Sequence, residues 1–347
     1  MTSRSSWWDP DYHADRRPLL EMRGRIRQAI RRRFEDAGFT EVECAALQIS
    51  PGNEAHLHAF ATERVFPDGH RKRLFLHTSP EFACKKLLAA GERRIFTFSQ
   101  TYRNRERGAV NVPEFTMLEW YRAEEPYSAV ISDCVDILKI TAAQTGEAVF
   151  RFRGRESDGS AAPERMTVAE AFRQFAAIDL LSTMDDQGTP HAGAFAYAAG
   201  ASGIKTAPDD RWGDIFSRVL TERIEPNLGI GRPTILDQYP RPEAALARIT
   251  SADPRLAERF ELYVCGVELA NGFGELTDAD EQRRRFEEAM TIRHTIHGEA
   301  YPIDEDFLAA VRQMPEASGV ALGFDRLVML ATAAESVHRV MWTPPAD

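Results

Sequence analysis

Apolar residues recur at helical spacing near the start of the chain. Met22, Ile26, Ile30 and Phe34 stand four residues apart, a pattern that predicts one buried face of an amphipathic helix over residues 18–36. Further helices are predicted from similar spacing and from residues that typically cap or stop a helix. They cover residues 81–91, 131–144, 168–175, 212–223, 278–297 and 324–340.

Runs of alternating, β-branched and aromatic residues predict strands. They cover residues 39–43, 95–102, 115–121, 233–236, 260–264 and 267–270. The second and third strands are joined by a charged loop and the last two by Cys265-Gly266, so each pair is expected to form a hairpin. Hairpins in place of regular βαβ units indicate an antiparallel sheet with helices packed on it, an α+β fold.

We expect the whole chain, residues 1–347, to form a single domain, because no internal repeat or low-complexity tract divides it. Residues from about 126 to 255 give weaker signals and are expected to form a more divergent, largely helical region within that domain. Gly, Ser, Asp and Pro over residues 154–163 predict a loop or a small insertion there.

Net charge, apolar runs and cysteine spacing exclude several classes of function. The 347 residues include 43 basic and 53 acidic ones, and the net charge of −10 argues against wholesale binding of a nucleic-acid backbone, although a local basic patch stays open. There is no run of about 18 apolar residues, and Met1 to Trp8 lacks the apolar stretch of a signal peptide. We therefore expect a cytoplasmic protein that does not contact a membrane. The four cysteines, expected to be free thiols because none forms a C-x-x-C pair, are Cys44, Cys84, Cys134 and Cys265.

The hairpin at Cys265-Gly266 brings two carboxylates together. If these residues form the turn, Tyr263 pairs with Glu268, and Glu261 lies on the same face of the sheet. Like charges this close raise each other's pKa unless a cation lies between them, and Mg²⁺ bound together with substrate phosphates takes such oxygen ligands. Spacing alone also allows a solvated sheet face with two unrelated acids.

Two further stretches offer groups for a ligand. Residues 271–275 provide an amide, two glycines for close backbone approach and the acid Glu275, which could seat an ammonium group. Glycines at 319 and 323, followed by Asp325 and Arg326 at a helix start, place a guanidinium beside a potential anion site. Each pattern also occurs in ordinary turns and strand-to-helix packing. No Gly-x-x-x-x-Gly-Lys-Ser/Thr stretch is present, so a P-loop kinase or GTPase is not indicated.

Taken together, four separated motifs resemble the catalytic core of class II aminoacyl-tRNA synthetases, and in particular the lysyl-tRNA synthetase branch. They are TSPE at 78–81, YRN at 102–104 with PEFTMLEWYR at 113–122, GVELANGF at 266–273, and residues 319–327. The resemblance implies an antiparallel sheet flanked by helices. It also implies that no anticodon-binding domain is present, because the core helix begins near residue 18.

The resemblance implies ATP and Mg²⁺ as cofactors. Arg103 would bridge the substrate carboxylate and the α-phosphate, Phe115 would stack on adenine, and Arg326 would hold the γ-phosphate of a bent ATP. Glu261 and Glu268 would hold Mg²⁺. The residues implied to bind ATP are Arg103, Asn104, Arg105, Phe115, Glu268, Leu269, Gly323 and Arg326. Those implied to be catalytic are Arg103, Glu268 and Arg326.

The same resemblance implies a pocket for a diamino acid. Ser79 and Glu81 would contact the amino group near the carboxylate, Glu275 and Tyr121 would take the ε-ammonium, and Asn271 would bond the carboxylate region. Tyr121 and Glu275 thus define the far end of the pocket. The full implied set is Ser79, Pro80, Glu81, Tyr121, Asn271, Glu275 and Ala321.

The chain departs from the family pattern at three places. Arg105 stands where the family has a glutamate that accepts the adenine amino proton, and Glu106 next to it could substitute. Val112 stands in place of a residue that contacts the nucleotide. Ala45 lies near the position of the proline that marks the dimer-forming motif.

A free-standing core of this kind resembles the lysyl-tRNA synthetase paralogues that modify translation elongation factor P. Ala321, where tRNA-charging relatives have glycine, fits that group because its methyl group would reshape the pocket for a β-amino acid. The implied activity is ATP-dependent activation of lysine or (R)-β-lysine as an aminoacyl-adenylate, then transfer to a lysine side chain of elongation factor P. The expected enzyme is a homodimer that contacts its partner through the strand at 41–42 and does not use tRNA.

Two alternative functions stay open. The same adenylation chemistry could serve another acceptor, such as a different protein, a small amine or a lipid. A non-catalytic paralogue could bind an amino acid or a partner. The arginines of the helix over 18–36, including Arg31 to Arg33, form either a solvated face or a docking site for an acidic partner.

Overall fold

A computed structural model describes residues 6–345; residues 1–5, which make up most of the N-terminal stretch considered above, and residues 346–347 lie outside the description. The helices of the described part are α1 Pro10–Asp36, α2 Glu81–Ala89, α3 Tyr127–Thr145, α4 Val168–Ala176, α5 Ala192–Ala201, α6 Trp212–Val219, α7 Ala279–His297, α8 Glu305–Val311 and α9 Phe324–Ala331. Its strands are β1 Thr40–Glu41, β2 Leu47–Gln48, β3 Ala61–Val65, β4 Arg71–Leu76, β5 Arg94–Tyr102, β6 Glu114–Ala123, β7 Val149–Phe152, β8 Arg155–Asp158, β9 Glu164–Thr167, β10 Thr234–Pro240, β11 Leu256–Val264, β12 Val267–Gly274 and β13 Ala317–Gly323.

The central sheet has eight strands in the order β1-β5-β6-β13-β12-β11-β10-β9. Its neighbours are antiparallel except at the two edges, where β1 runs parallel to β5 and β9 parallel to β10. The remaining strands of residues 6–345 form a three-stranded sheet, β2-β4-β3, and the β7–β8 hairpin. The predicted α+β fold, with an antiparallel-dominated sheet flanked by helices, is confirmed.

The β11–β12 hairpin has the predicted turn and pairing. Val264 pairs with Val267 and Tyr263 with Glu268, so the turn consists of Cys265 and Gly266. The register then shifts, because Leu262 pairs with Ala270 and not with Leu269. Leu269 is thus the extra residue of a β-bulge.

Helix α1 covers one face of the central sheet. Of its predicted stripe, Ile26, Ile30 and Phe34 are fully buried and Met22 is half-buried. The Phe34 ring centroid lies 4.9 Å from that of Phe96 on β5 and 5.5 Å from that of Trp120 on β6. Aromatic packing of this kind combines buried apolar area with favourable ring geometry. The helix begins at Pro10, earlier than the predicted residue 18, with Asp9 capping it.

Three further predicted elements differ from the structure. The helix predicted over 324–340 ends at Ala331, because Ala333 takes a φ of 53°, and a 3₁₀ turn follows at Val337–Val340. The strand predicted over 39–43 is reduced to Thr40–Glu41. The stretch predicted as a loop over 154–163 contains strand β8, which pairs with β7.

The arginines of α1 do not form a single solvated face. Arg31 donates three hydrogen bonds of 2.7–3.1 Å to the carboxylate of Glu41, and Arg33 contacts Asp133 and Asp136 on α3. Within the predicted cluster Arg31 to Arg33, these internal ion pairs leave Arg32 exposed. Two of the three arginines are therefore already paired within the protein, which weakens the hypothesis that this cluster docks an acidic partner.

None of the helices within residues 6–345 combines the length and the apolar character needed to cross a bilayer.

Replacing Phe34 with alanine is expected to lower the free energy of unfolding by about 3–5 kcal/mol, because a fully buried aromatic ring leaves a cavity between α1 and the sheet. Chemical denaturation followed by circular dichroism measures this loss. Tyr197→Ala, at an aromatic residue on α5 that is 83% exposed, is the control and is expected to change stability little. Equal losses in the two variants would contradict this account of the core.

Candidate active site

A cleft of about 310 Å³ opens on the central sheet beside the start of α2, the loop 103–113 and the start of α9. All four sequence motifs contribute to its wall. The predicted site residues that line it are Ser79, Glu81, Arg103, Phe115, Glu261, Glu268, Leu269, Asn271, Ala321, Gly323 and Arg326. Residues more than 240 positions apart in the chain thus meet in one cavity.

The predicted nucleotide contacts at Asn104 and Arg105 do not line the cleft. Asn104 donates its backbone N–H to the carbonyl of His58 (2.6 Å), and its side chain accepts the N–H of Arg105 (2.9 Å). Both side chains are exposed, and Arg105 has a φ of 67°, a backbone conformation that is uncommon for residues other than glycine. Glu106 lines the cleft in their place, where its carboxylate accepts a hydrogen bond of 2.7 Å from Asn111.

Arg103 and Phe115 lie side by side on one wall. The Arg103 guanidinium carbon is 5.4 Å from the centre of the Phe115 ring, and its Nε donates to the carbonyl of Thr78 at 3.1 Å. The strand pairing of β5 with β6 brings the two residues to the same end of the sheet, because Tyr102 pairs with Glu114. A guanidinium next to an exposed aromatic face suits a ligand that carries both a phosphate and a base.

Arg326 lies in the first turn of α9 and connects two other walls. Its Nη1 donates to the Glu268 carbonyl at 2.7 Å, its Nε donates to the Val110 carbonyl at 3.1 Å, and the Glu268 carboxylate is 3.8 Å from Nη1. These bonds fix the guanidinium between β12 and the loop 103–113. The remaining N–H groups can contact an anion in the cleft.

Behind this wall lies a residue that the sequence analysis missed. Arg23 on α1 forms a buried ion pair with Asp325 and donates to the Thr116 hydroxyl at 2.9 Å. Asp325 also accepts the backbone N–H of Thr116 at 2.7 Å. The sequence could have indicated that Arg23 is buried, because it lies on the same helix face as Leu20 and Ile30, where an apolar residue is expected.

Glu261 and Glu268 both line the cleft, as expected for neighbours on one face of the sheet. Glu261 accepts hydrogen bonds from Arg259 (2.8 Å) and from the hydroxyl of Tyr263 (2.7 Å). The cleft wall shields the Glu268 carboxylate from solvent, and this desolvation raises the pKa of Glu268 to about 7. The charge of Glu261 adds to the rise, and the charge of Arg326 opposes it. A cation between the two carboxylates would relieve that repulsion. The pair therefore fits Mg²⁺, which takes one or two carboxylates together with substrate phosphates.

The opposite end of the cleft contains a buried acidic cluster. Ser79 and Tyr121 both donate hydrogen bonds to the carboxylate of Glu119, the latter at 2.9 Å. Burial raises the pKa of Glu119 to about 8, and the charge of Glu81 adds to the rise. Lys85 is also buried, with its Nζ 2.6 Å from Glu81 and 2.7 Å from Glu275.

Tyr121 and Glu275 lie beneath the cleft floor and do not line its open part. A Cβ at Gly319 would overlap both side chains, so this glycine on β13 allows them to pack against the strand. The Glu275 carboxylate already pairs with the internal ammonium of Lys85. Pro80 likewise does not line the cleft; it stands at the N-terminus of α2.

Asn271 offers an unsatisfied acceptor to the same space. Its Oδ1 atom is buried and has no hydrogen-bond partner. Such an atom costs about 1–3 kcal/mol unless it is satisfied, so a ligand N–H or O–H in the cleft would stabilise it. Asn271 is paired with Ala321 across β12 and β13, and both line the cleft.

Comparison with known proteins extends these observations. The chain matches the family described as tRNA synthetases class II (D, K and N) over residues 4–346. A Pectobacterium atrosepticum protein named elongation factor P--(R)-beta-lysine ligase is 40% identical over 343 residues, which is 98% of this chain and 98% of that protein. Proteins of the same name are 38% identical in Klebsiella pneumoniae, over 98% of both chains, and 38% identical in Haemophilus ducreyi, over 96% of this chain and 95% of that protein.

The buried carboxyl of Glu119 is expected to make stability depend on pH. The folded protein binds this proton up to about pH 8, whereas an unfolded glutamate loses it near its ordinary pKa. Rising pH between these two values therefore destabilises the wild type, and Glu119→Gln, which has no such proton to lose, avoids that change. We therefore expect the Tm of the variant minus the Tm of the wild type to increase as the pH rises from about 5 to about 8.

Differential scanning fluorimetry across this range measures the effect. Glu164→Gln, at an exposed glutamate on β9, is the control and is expected to follow the wild-type curve. If Glu119→Gln also ran parallel to wild type at every pH, the buried protonated carboxyl would be excluded.

Proposed function

The chain belongs to the class II tRNA synthetase family that covers the D, K and N enzymes, and from this premise we propose that it is an ATP-dependent ligase for elongation factor P. It activates lysine or (R)-β-lysine as an aminoacyl-adenylate and transfers the acyl group to a lysine side chain of that protein. The observation that carries the proposal is the convergence of Arg103, Phe115, Arg326 and the Glu261–Glu268 pair in one cleft. The names of relatives that match along nearly their whole length support the acceptor.

The first step is an in-line displacement at phosphorus. A carboxylate oxygen of the amino acid attacks the α-phosphorus of ATP, the bond to the bridging oxygen breaks, and pyrophosphate leaves with the electron pair. Arg103 holds the carboxylate and the α-phosphate together, while Phe115 and Arg326 hold the two ends of the nucleotide. Mg²⁺ held by Glu261 and Glu268 would neutralise phosphate charge. Positioning and charge stabilisation are sufficient for this chemistry, so no protein base is required.

In the second step an acceptor amine attacks the carbonyl carbon of the adenylate. The bond from carbon to the AMP oxygen breaks, AMP leaves with the electron pair, and the proton of the amine passes to water. We propose that the acceptor amine enters past Glu54, an exposed residue that lines the cleft together with Leu57, Ser79 and Glu81. The attacking amine must be neutral, since an ammonium group has no lone pair to donate.

We infer that the acidic cluster recognises the two amino groups of the substrate. Glu81 lines the cleft directly, and Ser79 links the cleft to Glu119 through its hydrogen bond. Glu275 already forms an ion pair with Lys85. The side-chain ammonium of the substrate must therefore either compete with Lys85 for Glu275 or bind above this pair. Asn271, with its free acceptor, and Ala321, with its methyl group in the wall, are the groups that distinguish substrate isomers there.

We also propose a homodimer that uses the β1 edge of the central sheet. Strand β1 lies at the end of the strand order and is exposed. Beyond it, Leu47 and Ile49 are 52% and 44% exposed, apolar surface that a second copy would cover. Light scattering is expected to give the mass of two chains, and a monomer at micromolar concentration would contradict the proposal. The cytoplasmic location and the lack of a role for tRNA stay predictions.

The two alternative functions differ from the proposal in measurable ways. Arg105 and Val112 favour the non-catalytic alternative, because both stand where the family has residues that contact the nucleotide. Glu106, however, supplies a carboxylate inside the cleft. This observation favours nucleotide binding. The alternative acceptors leave the first step unchanged, so only the transfer step separates them from elongation factor P.

Pyrophosphate exchange tests the first step. We expect exchange into ATP that depends on lysine or on one stereoisomer of β-lysine, and a fall of about 100-fold in Arg103→Lys, because an ammonium group cannot bridge two anions as a guanidinium does. Arg71→Lys, at an exposed arginine paired with Glu63 on the β3–β4 hairpin, is the matched control. Absence of exchange with every lysine isomer would contradict the proposed enzyme. Mass spectrometry of elongation factor P after incubation then tests the acceptor: an unmodified protein despite active exchange would shift the proposal to another amine.

A further inference from the structure

A second cavity, of about 570 Å³, continues the active-site cleft beyond Arg326. Three residues, Val110, Glu268 and Arg326, line both cavities. The second cavity therefore begins where the triphosphate end of ATP would lie. Its outer wall is the β7–β8 hairpin, which contributes Arg153 and Arg155.

The arginines of this hairpin differ in their partners. Arg151 forms ion pairs with Glu147 (2.8 Å) and Glu156 (3.0 Å) and does not line the second cavity. Arg153 and Arg155 form no ion pair with any residue of the part that the structure describes. A Cβ on Gly266 would overlap the Arg155 guanidinium, which places this charge against the β11–β12 turn.

The backbone at Arg153 is unfavourable for an arginine. The hairpin turn consists of Arg153 and Gly154, with φ of 47° and 78°, between the paired residues Phe152 and Arg155. Two-residue turns with positive φ at both positions favour Asn, Asp or Gly, because other side chains are strained there. Strained residues of this kind concentrate at functional sites. The turn itself thus gives no reason for an arginine at this position.

The remaining charges of the cavity explain why extra cations are needed there. Glu225 and Glu268 line it, and Glu261 lies close behind them. Burial raises the pKa of Glu225, and the charge of Glu261 adds to the rise. Glu225 is not part of the pair proposed to hold Mg²⁺, so its charge would repel the end of a polyphosphate unless guanidinium groups offset it.

We propose that Arg153 and Arg155 form an anion subsite for the β- and γ-phosphates of ATP and for the pyrophosphate released from it. The subsite rests on the proposed function, because adenylation breaks the bond between the α-phosphorus and the bridging oxygen and leaves pyrophosphate on this side of the cleft. Arg326 stands at the boundary of the two cavities and holds the phosphates at the inner end. Arg155 and Arg153 hold them successively further out, on the path to solvent.

Direct binding of magnesium pyrophosphate to the full-length protein, measured by isothermal titration calorimetry, tests this subsite. We expect Arg155→Gln and Arg153→Asn each to weaken binding about tenfold, the effect of losing one charged hydrogen-bond donor. The matched control is Arg151→Gln on the same hairpin, which is expected to bind as the wild type does. Wild-type affinity in both subsite variants, or an equal loss in the control, would overturn the proposal.

Asparagine is chosen at position 153 so that a loss of pyrophosphate binding can be distinguished from a loss of stability. Asparagine adopts positive φ more readily than arginine, so Arg153→Asn is expected to keep or raise the Tm while it loses affinity for pyrophosphate. In the exchange reaction, the KM for pyrophosphate is expected to rise in both variants, while the KM for lysine stays unchanged. A rise in the KM for lysine of the same size would contradict a subsite confined to the phosphates.

The outcome also separates this subsite from the proposed function. Binding of magnesium pyrophosphate that depends on Arg155, in a protein without exchange for any lysine isomer, would support the subsite and contradict the ligase. Exchange that proceeds in the variants with the wild-type KM for pyrophosphate would support the ligase and contradict the subsite.

Discussion

The buried ion pair between Arg23 and Asp325 holds the ATP end of the cleft in register. Asp325 accepts the Thr116 backbone N–H, and Arg23 donates to the Thr116 side chain, so three distant segments meet at one point. Phe115 and Arg326 are the immediate neighbours of two of these residues in the chain. Removing one partner of a buried pair leaves an uncompensated charge, which costs about 3–5 kcal/mol. The walls that contain Phe115 and Arg326 are therefore fixed relative to each other by the same interaction that anchors α1.

Charge changes in sign along the cleft in an order that matches the proposed reaction. The amino-acid end carries a net negative charge, because Glu81 in the wall and the buried Glu275 share one cation, Lys85. Arg103 lies next to it, where a carboxylate and a phosphate would meet. The far end again has carboxylates, but guanidinium groups from Arg326 and the β7–β8 hairpin surround them. Attraction of the substrate amines and neutralisation of the phosphates are thus assigned to separate parts of one cavity.

Local patterns predicted much of the fold, and the family resemblance predicted many of the residues that line the cleft, whereas contacts between distant parts of the chain could not be predicted. The two-residue turn at Cys265-Gly266 determined the Tyr263–Glu268 pairing, because a strand alternates its faces with a period of two. The burial of Lys85 between two acids and the contact of Arg23 with Asp325 join residues far apart in the chain, so no local pattern indicated them. The residue types also did not predict that Glu106 lines the cleft in place of Arg105, or that Arg105 takes a positive φ.

The bulge at Leu269 determines which side chains of β12 can act together. Glu268 and Asn271 are separated by an odd number of positions, and in a regular strand they would point to opposite sides of the sheet. The additional residue reverses the alternation between them, so both line the same cleft and Asn271 pairs with Glu261. The length of this strand is consequently more constrained than its composition. A one-residue deletion at the bulge would turn either Glu268 or Asn271 out of the cavity, even if both side chains were retained.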